Sequence, residues 1–175
     1  MKKSDIPRSP TSHLSYFNQI EDIHFIEALE NSLLEIQLAP IEKWKELGSK
    51  VYAPGKWTVN DILQHILDCE RVFAYRVSAY ARGEKKALLP FDEDEYAANA
   101  QANLRQMDEI IEELTLVRKS TIAMFKSFTP EMLLTPGTAY NGSEIYVLAM
   151  AYVLAGHQKW HFKVIEERYF ALLEN

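Results

Sequence analysis

Apolar residues recur at intervals of three and four along four stretches of the chain, which is the spacing of one face of an α-helix. The first predicted helix spans about residues 21–37, and Pro40 closes it. The second begins after Thr58, which has capping-box spacing to Asp61, and continues to Gly83. Both ends of this second helix therefore carry local sequence signals.

Two further helices are predicted in the second half of the chain. The third opens at Asp92 or Asp94, where acidic residues favour a helix start, and reaches Phe128. The fourth begins near Ser143, directly after an Asn-Gly turn, and extends past Tyr169. Residues 40–57 are predicted to form a connector that holds a short turn of helix.

Long helices without alternating strand patterns predict an all-α protein, and we expect a four-helix bundle with an up-and-down style of arrangement. Residues 1–175 are predicted to form a single domain, in which residues 1–12 are a flexible or loosely packed N-terminal segment. The order in which the helices pack in space is left open by the periodicity.

Composition narrows the class of protein. The chain is 47% hydrophobic and 25% charged, which is typical of a globular domain. No apolar stretch resembles a signal peptide or a membrane span, and a single cysteine agrees with a reducing compartment, so a cytoplasmic location without membrane association is predicted. The net charge of −6 disfavours a nucleic-acid partner.

Three of the five histidines fall on inward faces of predicted helices. His157 and His161 are one helical turn apart, and His65 lies near the apolar face of the second helix. Three neutral imidazoles suit zinc, nickel or iron(II) and leave coordination positions open. The alternative is that each histidine is an ordinary hydrogen-bonded residue. His13 is interpreted as a residue of the flexible terminus and His24 as a helix surface residue.

Three neighbours of His65 are weaker candidates for the pocket around such a metal. Cys69 follows His65 by one turn and could bind as a thiolate, or could simply be a small buried residue. Asp68 and Glu70 could act as a general base or orient an imidazole, whereas a salt bridge in the bundle is the alternative for each. The sequence identifies no catalytic residue. The acidic run at residues 92–95 is interpreted as a helix start, with a mobile lid as the alternative.

Two segments carry a resemblance to a known family. Residues 55–76, GKWTVNDILQHILDCERVFAYR, and residues 156–169, GHQKWHFKVIEERY, resemble the DinB/YfiT-like superfamily of metal-dependent enzymes. The resemblance implies that the second helix supplies one metal ligand and the last helix supplies an H-x-x-x-H pair. These positions correspond here to His65, His157 and His161.

The resemblance also extends to the start of the second helix and has one departure. Trp57 and Thr58 match the Trp-Ser/Thr start of that helix in the family, whereas Trp160 stands where many relatives have a further histidine. The resemblance implies an enzyme that uses a divalent metal to activate a thiol or water toward a small substrate, with a low-molecular-weight thiol and a homodimer as candidate partners. The alternative is a noncatalytic, metal-stabilised bundle that serves as a stress-linked binding or interaction protein.

Overall fold

The computed structural model describes residues 1–174. Its α-helices are α1 (Leu14–Phe17), α2 (Phe25–Gln37), α3 (Ile41–Leu47), α4 (Val59–Ala81), α5 (Glu93–Ala100), α6 (Met107–Lys126), α7 (Pro130–Leu133) and α8 (Val147–Val164). Short 3₁₀ turns occupy Lys3–Asp5, Ala102–Leu104 and Phe170–Leu173, and one π turn occupies Ile165–Tyr169. A small antiparallel hairpin pairs β1 (Pro136–Thr138) with β2 (Glu144–Tyr146). The chain is an all-α four-helix bundle, built from α2, α4, α6 and α8.

The bundle has a crossed connectivity. Helix α2 packs against α6 and α8, and α4 packs against the same two helices. Helices α2 and α4 therefore occupy diagonal corners, although they are consecutive long helices. This differs from the up-and-down arrangement predicted above, in which consecutive helices are neighbours. The connection at residues 38–58, which includes α3, is long enough to cross the bundle.

Two hydrophobic clusters fill the bundle, one toward each end. The first includes Phe73 and Val77 of α4 together with residues 147–154 of α8. The second includes the apolar residues among positions 62–67 of α4 together with Ile165, which follows α8. On α8, His157 and His161 fall between these two clusters, whereas on α4 His65 lies among the apolar residues of the second cluster. The imidazoles therefore lie where apolar packing on both sides excludes water.

Local sequence signals explain the second predicted helix. The Thr58 side chain accepts a hydrogen bond from the Asp61 backbone N–H, and the Asp61 carboxylate accepts one from the Thr58 backbone N–H at 2.9 Å. This reciprocal pair is the predicted capping box, and it fixes the start of α4. Gly83 adopts a φ of +89° just beyond the helix, as expected of a glycine that ends one. The predicted helical turn in the connector is also present as α3.

The third predicted helix is wrong as a continuous element. Helix α5 ends at Ala100, the next residue Gln101 has a left-handed φ of +51°, and α6 begins only at Met107. Leu104, which belongs to the predicted apolar repeat, is 80% exposed because the turn rotates it away from the core. Glutamine has no special preference for the left-handed region, so the break carries no sequence signal.

The fourth predicted helix begins later than expected. The predicted Asn-Gly turn is present, but it joins β1 to β2, and α8 starts at Val147 instead of Ser143. Within residues 1–12, Ile6 and Pro10 are buried whereas most of the other side chains are exposed. Across residues 1–174, the helices are too short or too polar to span a membrane.

Candidate metal centre

Helices α4 and α8 bring three imidazoles together in the interior. The Nε2 atom of His157 lies 3.0 Å from the Nε2 atom of His65 and 3.0 Å from that of His161. All three residues are buried. Two nitrogens that bind one tetrahedral zinc at about 2.05 Å are about 3.3 Å apart. Both observed separations are close to that value, so His157 can share a divalent ion with each of the other two histidines.

Hydrogen bonding alone does not account for this convergence. An imidazole nitrogen carries either one N–H or one in-plane lone pair, so the Nε2 of His157 has one bonding direction. It cannot make two well-formed hydrogen bonds, to His65 and to His161, at the same time. One cation accepting a lone pair from each ring satisfies all three nitrogens.

Burial keeps the three imidazoles neutral. Loss of solvation lowers the pKa of His65 to about 4 and that of His161 to about 3. The pKa of His157 is lowered well below its ordinary value by burial and by its two histidine neighbours. A neutral imidazole has the free lone pair that a metal requires, so protons compete weakly for these sites at neutral pH.

Cys69 lies at the edge of the imidazole cluster. Its Sγ atom is 3.6 Å from both ring nitrogens of His65. His65, Cys69 and His157 each offer one ligand atom, and these atoms all lie within 4.8 Å of one another, a tight set that does not contain His161. Burial raises the pKa of the Cys69 thiol, so it is protonated unless a metal binds it. The structure thus offers a second ligand set, His-Cys-His, beside the predicted one.

Asp68 lies away from the imidazoles. Its Oδ1 atom accepts a hydrogen bond from the Gln64 side chain at 3.0 Å and lies 3.8 Å from the Arg71 guanidinium. Burial raises the pKa of the Asp68 carboxyl. These contacts tie Asp68 to the α4 surface that faces α6, so the structure does not bring it to the metal centre.

Glu70 also does not reach the imidazoles. Both of its carboxylate oxygens accept hydrogen bonds from the Arg118 guanidinium, at 2.6 and 2.8 Å. Arg118 also donates to the Ser32 hydroxyl, and Glu70 and Arg118 are almost completely buried. Glu70 is therefore the salt-bridged bundle residue that was the alternative interpretation above, because Arg118 holds both of its oxygens.

The N-terminal segment supplies residues that sequence reasoning missed. The ring of Tyr16 in α1 meets the His157 ring edge to face, with centroids 4.9 Å apart. His13, predicted above to lie in a flexible terminus, packs its ring 5.4 Å from Phe73, and Phe73 itself contacts His157. His13 holds an unusual left-handed φ of +60°. Both residues therefore belong to the shell around His157.

Gly156 explains how α1 comes so close to α8. A Cβ atom at this position would lie 1.9 Å from the Tyr16 carbonyl oxygen. Only glycine permits that approach, which in turn places the Tyr16 ring on the neighbouring His157. A glycine inside an otherwise unbroken helical pattern was the one sequence signal that another backbone packs there.

A cavity of about 240 Å³ opens beside His161. Its walls include Trp57 and Trp160, whose ring centroids lie 4.7 Å from those of His65 and His161, respectively. Asp94, from the acidic run at the start of α5, also lines it. A small molecule in this cavity would touch the imidazole cluster.

Comparison with known protein families shows which family this chain belongs to. The profile of the DinB superfamily matches residues 28–165, most of the chain. The chain belongs to the DinB superfamily. The matched DinB region contains all three histidines but leaves out α1, so Tyr16 and His13 lie outside it.

Solved structures agree with the DinB fold. YfiT from Bacillus subtilis is described as a probable metal-dependent hydrolase with an unusual four-helix bundle topology. It superposes with a TM-score of 0.76 at 17% identity, and the match covers 87% of this chain and 91% of that one. A mycothiol-dependent maleylpyruvate isomerase superposes with a TM-score of 0.54 at 11% identity, covering 84% of this chain and 61% of that one. Among curated proteins, no sequence matches this DinB chain significantly.

Proposed function

We propose that this protein is a divalent-metal-dependent enzyme that activates a thiol or water toward a small substrate. The observation that carries the proposal is the convergence of three buried, neutral imidazole nitrogens next to an open cavity. His65, His157 and His161 would hold zinc, nickel or iron(II). When bound, such an ion supplies a Lewis acid that lowers the pKa of a thiol or water. A three-nitrogen donor set leaves room for that molecule.

The chain's own residues have separate roles in this proposal. The imidazoles stay neutral and fixed because the hydrophobic clusters on both sides hold α4 and α8 in register. Trp57 and Trp160 flank the imidazoles and shield them from bulk water on the cavity side. The substrate reaches the cluster through the cavity at His161. These roles are those of binding, orientation and exclusion of water.

The fold relatives support this proposal without selecting the reaction. YfiT is described as a probable metal-dependent hydrolase, and the isomerase depends on mycothiol, so water and thiols are both represented on this fold. A low-molecular-weight thiol is accordingly one candidate substrate. A cytoplasmic location and the lack of nucleic-acid partners belong to the same proposal, and they rest on the single cysteine and the acidic charge. A homodimer also belongs to it and rests on the resemblance to the family.

Metal removal tests the enzymatic proposal. Purified protein should be screened for ester and amide hydrolysis and for thiol transfer to an electrophile, before and after chelation. The proposal predicts that any activity found is lost with the metal and returns when one equivalent of zinc, nickel or iron(II) is added. Activity that persists in protein shown to contain no metal would reject it.

A second candidate function is favoured by the position of Cys69. If the thiolate of Cys69 joins the imidazoles, four protein ligands close the site, and the metal then locks α4 to α8 in a noncatalytic binding protein. Cobalt(II) substitution separates the two candidates, because a thiolate ligand gives a strong near-ultraviolet charge-transfer band. The chain has one cysteine, so such a band would come from Cys69 and would vanish in Cys69→Ser. Absence of the band supports the open site.

A further inference from the structure

Aromatic rings wall the cavity beside His161. They belong to Tyr52, Trp57, Trp160 and Tyr169. Tyr52 is 38% exposed and Trp160 is 37% exposed, so part of each large ring still faces solvent. Exposed aromatic side chains gathered around one concave site are typical of ligand binding.

Neighbouring side chains hold these rings in place. Trp57 packs on His65, and Trp160 packs edge to face on His161, each at a centroid distance of 4.7 Å. The Tyr169 hydroxyl donates a hydrogen bond to the Trp57 backbone carbonyl at 2.5 Å. Walls that are already ordered lose little conformational entropy when a ligand enters, so the cavity is preorganised.

Two charged side chains complete the lining. Lys56 and Asp94 both border the cavity, and within residues 1–174 neither side chain forms an ion pair. The Lys56 ammonium lies 6.0 Å from the centre of the Tyr52 ring, and its charge is not neutralised by a carboxylate. The Lys56 ammonium can pair with an anionic group, and the Asp94 carboxylate can accept a hydrogen bond from a donor on the same ligand.

We infer that the substrate is a small planar molecule of one or two fused aromatic or conjugated rings that carries an anionic group. The inference rests on the proposed function, because it takes this cavity as the place where substrate binds. An apolar cavity of about 150 Å³ holds one benzene ring, so about 240 Å³ accommodates one ring or two fused rings with a substituent. Four aromatic walls favour a flat ring over an aliphatic group of equal size.

A matched pair of probes tests the ring preference. The probes are 2-naphthoate and decahydro-2-naphthoate, which share a carboxylate and a carbon skeleton but differ in planarity. Dissociation constants should be measured by ligand-observed NMR with metal-free protein, so that no probe gains affinity from coordination. We expect 2-naphthoate to bind about five-fold more tightly. Equal dissociation constants would overturn the inference.

Variants of the wall assign the preference to particular residues. Trp160→Leu should lower the five-fold ratio to about two-fold, because one of the four ring walls is lost, whereas Trp160→Phe, which keeps a ring, should retain most of it. Lys56→Gln should weaken both probes by a similar factor, and the remote control Lys85→Gln should weaken neither. If Trp160→Leu does not fold by circular dichroism, Tyr52→Leu replaces it, with a partial loss of the ratio expected.

A ratio that survives loss of the wall rings would overturn the inference. Failure of the ring preference and failure of the proposed function can be told apart, because zinc binding is measured separately on the same preparations. A protein that binds zinc but shows no ring preference rejects the substrate class alone. A protein with the ring preference that binds no metal rejects the metal-dependent reaction alone.

Discussion

Glu70 and Arg118 form a buried ion pair, and replacing Glu70 by glutamine should destabilise the fold without weakening metal binding. Glu70 is 1% exposed and Arg118 is 0% exposed, and the two side chains share two hydrogen bonds. Glutamine has nearly the same shape but no charge, so it leaves the guanidinium buried without a counter-ion. Breaking a buried pair in this way costs about 3–5 kcal/mol. We expect the lower end, since glutamine can still accept one hydrogen bond.

Urea unfolding of metal-free protein, followed by far-ultraviolet circular dichroism, measures this cost. Glu113→Gln is the control, because Glu113 pairs with Arg71 and Arg105 on the partly exposed surface and should lose less than about 1 kcal/mol. The double variant Glu70→Leu with Arg118→Met removes both charges and should recover most of the lost stability.

The competing interpretation gives the opposite pattern. If Glu70 acted as a base or oriented an imidazole, Glu70→Gln would weaken zinc binding or catalysis and leave stability nearly unchanged. A loss of less than about 1 kcal/mol on unfolding would therefore refute the reasoning from burial. Zinc affinity of the folded variant equal to that of the wild type would support it.

The buried imidazoles, the close packing of α1 on α8 and the cap of α4 each affect the stability of the fold. Metal-free protein should lose stability as the pH falls from 6.5 toward 5, because the unfolded state protonates His65 while the folded state, in which the pKa of His65 is about 4, does not. The loss of unfolding free energy from this residue is about 2 kcal/mol. Urea unfolding of the wild type and of His65→Gln at both pH values isolates this contribution. Gly156→Ala should lower the melting temperature and displace α1, since its Cβ would meet the Tyr16 carbonyl, and an unchanged melting temperature would contradict the close packing. Thr58→Ala should cost about 1 kcal/mol by removing the cap of α4, and calorimetry showing no loss would exclude that role.

The sequence predicted the parts of the fold that depend on local signals. Thr58 and Asp61 have the spacing of a capping box, and the structure contains it. The H-x-x-x-H spacing placed His157 and His161 on one helix face, and the rings of both contact His65. In each case, residues within one helical turn determine the geometry, so spacing alone is informative.

The missed features depend on contacts between distant segments. Nothing in the residues around Gln101 marks a left-handed break, because that conformation is stabilised by the packing of α5 and α6 on the rest of the bundle. Tyr16 lies 141 positions before His157, and only the approach of α1 to Gly156 brings the two together. The crossed order of the helices likewise depends on which apolar faces match, and helical periodicity does not encode that order.

If His65, His157 and His161 bind one divalent ion, the zinc affinity of His161→Ala should fall sharply. His161 belongs to the three-histidine set but not to the compact set of His65, Cys69 and His157. Competition with a chromophoric chelator at pH 7 should show about one zinc per chain in the wild type. We expect His161→Ala to lose at least about 100-fold in affinity, because loss of a residue that only orients a ligand already costs about 10–100-fold, while Cys69→Ser should change it little. Wild-type affinity in His161→Ala, with a large loss in Cys69→Ser, would contradict the three-histidine site.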